Sequence, residues 1–127
     1  MKTLSFAIFI FSYLSRHSQA QSGPGPCHTY PGAVATDCLE LIGSRLASGE
    51  LLDLTTGRAI ISLRNCSIVA KRPNRGVDAA DEDTVVRMAL AGIGHCALLD
   101  FGSISGSYTD EGGMKVCYLY PGREQLC

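Results

Sequence analysis

Apolar positions along residues 36–120 switch between two periods, and the switches divide the chain into elements. Cys38, Leu39, Leu41, Ile42 and Leu46 recur at steps of three and four, the spacing of one helical face. Thr36-Asp37 offers an N-cap, Asp37 and Glu40 have capping-box spacing, and Gly49 predicts the end of this first helix. Leu51 to Leu54 is a short apolar run closed by a Thr55-Thr56-Gly57 turn. Arg58 to Lys71 then alternates as strands do. Its inward parity changes from odd (Ile61, Leu63) to even (Cys66, Ile68, Ala70) across Arg64-Asn65, which predicts a bulge or a tight turn there. Lys71 to Gly76 reads as a basic, proline-containing loop.

A second helix follows. Asp78, Asp81, Glu82 and Asp83 crowd its start, where acidic groups favour the positive end of the helix dipole. Val85, Met88, Ala89, Gly92 and Cys96 line one face, and Val86, Leu90 and Ile93 line the next. Gly92 and Gly94 weaken its last turns, and close packing on a sheet is the expected reason for both. The last pattern is a hairpin. Ile104, Gly106 and Tyr108 alternate, Asp110-Glu111-Gly112-Gly113 turns, and Met114, Val116, Tyr118 and Tyr120 alternate back. The order predicts an α+β domain, with two helices packed on one face of an antiparallel sheet.

The first twenty residues stand outside this pattern. Lys2 precedes an apolar run from Leu4 to Leu14, and Ser18-Gln19-Ala20 has the small-x-small form of a leader cleavage site. The run is too short to span a bilayer, which takes roughly 20 residues. Cleavage after Ala20 would leave one domain, 21–127, that opens on an extended Gly/Pro-rich lead-in tied down by Cys27. Lys2 and Arg16 would go with the leader, leaving nine of the eleven basic residues against twelve acidic ones. That balance argues against nucleic acid and an anionic membrane surface as partners, and no second apolar segment approaches the length that stable membrane insertion needs.

Six cysteines, Cys27, Cys38, Cys66, Cys96, Cys117 and Cys127, follow the leader. An even count behind a leader reads as three disulfides in a secreted, extracellular protein. Six cysteines allow 15 pairings. The expected one joins Cys66 to Cys96, linking a central strand to the end of the second helix. No two cysteines are close enough for a metal pair, so neither a metal nor a cofactor is expected. His95 beside Cys96 would need a free thiolate to act as a nucleophile pair, and bridging removes it. Ser103, Ser105 and Ser107 read as a solvated strand face, and the acidic run 81–83 as a helix start rather than a calcium site. With no nucleophile–base pair, no enzyme is expected. Asn65-Cys66-Ser67 matches the glycosylation pattern at Asn65. Lys71-Arg72 is a dibasic pair of the kind cut in the secretory pathway, and Pro73 after it disfavours cleavage; with Arg64 and Arg75, the pair reads either as a solvated loop or as a basic contact surface.

Three stretches carry a resemblance: Thr36-Asp37-Cys38-Leu39-Glu40-Leu41-Ile42, Asn65-Cys66-Ser67-Ile68-Val69 and Gly94-His95-Cys96, followed by the hairpin over 102–120. Together they resemble the small, cysteine-rich secreted fungal effectors of the killer-toxin-like fold, over roughly 36–120. The resemblance implies a ferredoxin-like α/β sandwich without catalytic residues. It also implies a virulence role through a protein partner, either a host protein or a second secreted effector. The alternatives are an antifungal killer-type toxin and a secreted hydrolase inhibitor whose contact loops would be 71–76 and 110–113.

Overall fold

The computed structural model describes residues 22–28, 32–73, 76–99 and 103–127. The expected leader and its cleavage site, Pro31, Arg75, Asp100 and Gly102 lie outside the described residues. The elements run β1 (Gly23–Pro24), α1 (Ala35–Arg45), β2 (Leu51–Asp53), β3 (Arg58–Leu63), β4 (Cys66–Lys71), β5 (Ala79–Asp81), α2 (Glu82–Leu99), β6 (Gly106–Thr109) and β7 (Lys115–Leu119), with a 3-10 turn at Glu124–Leu126. The main sheet is antiparallel, in the order β1-β6-β7-β4-β3, and β2 pairs with β5 in a separate ribbon.

Both helices cover the face of the sheet that carries Ile61, Ile68, Ala70, Val116 and Tyr118, and the core closes between them. The parity change is a tight turn: Leu63 pairs with Cys66, and Arg64 takes a left-handed backbone (φ 46) between them. An arginine there is costly, and its side chain accounts for it. Arg64 Nε donates to Asp37 Oδ1 at 3.0 Å, and its other end reaches Glu40. Asn65 N donates to Asp37 Oδ2 at 3.1 Å, and Asn65 O accepts from Val34 N at 3.0 Å.

Asp37 therefore braces the hairpin turn rather than capping its own helix. The helix starts one residue before Thr36, with Val34 at the cap position and no side-chain cap bond. Glu40, expected to fold back in a capping box, is drawn to the same guanidinium.

The acids before α2 divide in the same way. Asp81 is still in β5, paired with Leu51, while Glu82 is buried at the helix start with Arg45 Nη1 3.4 Å away. Asp83 accepts from Ala47 N at 2.6 Å and from Arg87 Nε at 2.7 Å, holding the α1–β2 connection, where Ala47 is left-handed (φ 54).

Strand β4 is buried on both faces, because the segment after β7 folds across the side away from the helices. Val69, Cys117 and Leu119 are covered there with Cys127. Ser67 Oγ lies 2.7 Å from Ser62 Oγ and donates to Glu124 Oε1 at 3.1 Å. Gly122 N donates to both Glu124 oxygens.

The pairing expected between Cys66 and Cys96 does not form. The bridges are Cys27–Cys96, Cys38–Cys66 and Cys117–Cys127. Cys66 faces α1 at the start of β4 and meets Cys38. The end of α2 lies instead over β6 and the N-terminal segment, which brings Cys96 to Cys27.

That segment is more than a lead-in. Gly23 and Pro24 pair with β6, Gly25 N donates to Ser107 O, and His28 N donates to Ser105 O. The serines expected on a solvated face are buried at Ser103 and Ser105, because Ser105 Oγ accepts from Ala33 N at 2.9 Å. Gly32 packs against both side chains, and a Cβ there would lie 2.0 Å from Ser105 Oγ.

Arg64 and the Asn65 amide hold the Asp37 carboxyl below its ordinary range; Arg87 and the Ala47 amide do the same for Asp83, and backbone amides for Glu124. Lowered folded-state values mean that these groups stabilise the fold above the unfolded carboxylate range of about 3.9–4.3, and that this stabilisation is lost as pH falls through the folded values. Thermal midpoints are thus expected to stay level between about pH 7 and 5 and to drop below about 4. Asp37→Asn should flatten the acid limb; an unchanged limb in calorimetry across this range would remove Asp37 from the account.

Candidate functional site: a cationic row across the sheet

The antiparallel register sets three basic residues side by side. Arg58 in β3 pairs with Lys71 in β4, and Lys71 pairs with Lys115 in β7. Directly opposed residues share a face. The row therefore lies on the side of the sheet away from the helices, at the end where β4 stops and β7 begins. Thr109 of β6 extends it by one position. Arg58 and Lys71 are exposed, and Lys115 is half-buried.

Like charges directly opposed across strands repel, and the Glu124 carboxylate, whose pKa backbone amides and Arg58 help to lower, offsets this only in part. Arg45, Arg64, Arg72 and Arg87 form ion pairs within 4 Å; among the described residues, no side-chain carboxylate comes that close to Arg58, Lys71 or Lys115. Backbone carbonyls of the C-terminal segment orient two of them. Arg58 Nη1 donates to Glu124 O at 3.1 Å, and Lys71 Nζ donates to Cys127 O at 3.5 Å.

The basic surface expected from Arg64, Lys71, Arg72 and Arg75 is thus divided. Arg64 belongs to the Asp37 brace, and Arg72 pairs with Asp78 at 3.3 Å. Lys71 is not in a loop. It is the last residue of β4, and Arg72 N donates to Gly57 O at 3.0 Å, so the dibasic pair is held in hydrogen-bonded backbone. Neither Arg58 nor Lys115 carries a signal of its own in the sequence. They join Lys71 only through strand register.

Beyond the end of the row, Pro73 approaches Gly113 of the β6–β7 turn. A Cβ on Gly113 would lie 3.6 Å from Pro73 Cβ. A cleft of about 190 Å³ opens there, lined by Pro73, Val77, Thr84 and Met114 together with Asp81 and Asp110. Asp110 Oδ1 is engaged by Met114 N at 2.8 Å, which shapes the β6–β7 turn.

Other singled-out residues have structural partners. All six cysteines are bridged, so Cys96 beside His95 offers no thiolate. Asn65 is exposed in its turn, whereas Cys66 and Ser67 of the same tripeptide are fully buried. Burial pushes the Tyr118 phenol up to about 12. Its hydroxyl donates to Ser107 O at 3.2 Å. Among the described residues, no His, Cys, Asp and Glu cluster could hold a metal ion, and no helix is long and apolar enough to cross a membrane.

Comparison with known protein families, with curated proteins and with solved structures finds no match to this chain.

Proposed function

We propose that the chain is a secreted fungal effector: a non-enzymatic protein that leaves the cell behind the leader 1–20 and acts by binding a host protein or a second secreted effector. The observation that carries the secreted part is the closure of all six cysteines into three bridges, the pattern of small proteins in oxidising compartments. The resemblance over 36–120 supplies the host-directed part. A binding role is supported by the Arg58–Lys71–Lys115 row, which sets three cations side by side on the face away from the helices.

The fold proposed within the α+β class is ferredoxin-like. Its support, with β1 and the β2–β5 ribbon set aside, is the succession α1-β3-β4-α2-β6-β7 and the sheet order β6-β7-β4-β3. This is the arrangement of a β-α-β-β-α-β unit, with the strand that usually opens it supplied by β7 at the other end.

Transcript levels in the producing organism, alone in culture and in contact with a host, test the proposal. Strong induction on the host is expected. Equal expression in both settings would overturn the effector role. The oxidised protein would then be tested on competing fungi as a killer-type toxin and on hydrolases as an inhibitor; the approach of Pro73 to Gly113 supports the inhibitor reading.

A further inference from the structure

We infer that the cationic row is a docking surface for an acidic helix of a protein partner, one with carboxylates repeating along a single face. The inference rests on the binding role proposed above and adds the chemistry of what is bound.

Spacing selects the occupant. Neighbouring strands lie about 4.8 Å apart, and opposed Cβ atoms about 4.5–5.5 Å apart, so three cations in register span about 10 Å. Side chains three or four apart on a helix have Cβ atoms about 5–6 Å apart, so glutamates at i, i+4 and i+8 repeat at nearly the interval of the row. An extended acidic strand fits less well, because its same-face residues recur only every 6.8 Å or so.

The surface beside the row suits a helix as well. Ile60, two residues from Arg58 and on the same face, is 44% exposed. It offers an apolar contact to a partner side chain next to the carboxylates. Main-chain oxygens of Glu124 and Cys127 hold Arg58 and Lys71 in place, which lowers the ordering cost of binding. Exposed ion pairs are individually weak and screened by salt. The complex should therefore be salt-sensitive and depend on all three pairs together.

The test measures binding of the oxidised protein to two labelled helical peptides of identical composition by fluorescence anisotropy. One carries glutamates at i, i+4 and i+8; the other distributes them around the helix. The facial peptide is expected to bind about tenfold more tightly at low salt, and to lose that advantage at about 0.5 M salt. Lys71→Glu places a carboxylate between Arg58 and Lys115, an arrangement of opposite charges that the sheet tolerates. It should abolish the preference while leaving the thermal midpoint unchanged or higher.

Equal binding of the two peptides, or full binding by Lys71→Glu, would overturn the inference. Tighter binding of polygalacturonate than of the facial peptide would overturn it in favour of an anionic glycan. These outcomes are independent of expression on a host. Host induction without a facial preference would leave the effector role standing and remove this surface; a facial preference without induction would do the reverse.

Discussion

Replacing Cys27 and Cys96 together by alanine is expected to lower the unfolding free energy by about 4 kcal/mol, against a total of roughly 5–15 for a domain of this size. The bridge closes a sequence separation of 69, the largest of the three, and in the chain-entropy view the unfolded ensemble gains most when the longest ring opens. The same relation gives about 3.5 kcal/mol for Cys38–Cys66, separation 28, and about 2.7 for Cys117–Cys127, separation 10. The first loss also has a local part. Cys27 fixes the segment that pairs with β6, and Cys96 is buried with its sulfur 3.6 Å from the Tyr118 hydroxyl. Urea unfolding of the three double-alanine variants would check the ranking. A largest loss at Cys117–Cys127 would show that cover of the outer face outweighs ring length.

Gly92→Ala should also destabilise strongly, by about 1–3 kcal/mol or more, as overpacking does in a filled core. A Cβ on Gly92 would lie 2.3 Å from the Tyr118 hydroxyl and 2.6 and 2.7 Å from ring carbons. Tyr118 cannot withdraw readily: it is fully buried, and its hydroxyl is tied to Ser107 O. Gly94→Ala, two residues on in the same helix, is expected to raise stability by up to about 1 kcal/mol, because a Cβ there meets nothing within 4 Å and helix propensity alone acts. One kcal/mol corresponds to roughly 4–8 °C for a domain of 60–100 residues, so melting curves should separate the two variants clearly. Equal midpoints would mean that the ring has room to move.

These two glycines also show where sequence reasoning stops. Both were expected to pack closely on the sheet, and only Gly92 does, because which face of a helix meets a large neighbour depends on the neighbour's position. Local periodicity was legible: both helices, the β3–β4 turn and the β6–β7 hairpin follow from alternation and three-to-four spacing within short windows. What depends on register between distant segments was not. Cys27 reaches Cys96 because the N-terminal segment pairs with β6, and Ser103 and Ser105 are buried for the same reason. Asp37 has the spacing of a cap, yet a turn 28 residues away competes for its carboxylate and wins. The cationic row is the extreme case. Lys71 stood out beside Arg72, whereas its real neighbours, Arg58 and Lys115, come from strands before and after it in the chain.

The row ends its strands without taking part in the core. Next to Arg58, Lys71 and Lys115 stand Ala59, Ala70 and Val116, whose side chains fill the helix-covered side. In the proposed docking role, recognition falls to residues that alternate with those of the core along the same three strands. Charge at the row can be reversed, removed or redistributed by single substitutions that leave every core contact in place. A lineage under pressure to change partners could therefore vary its specificity rapidly while its scaffold stayed constant.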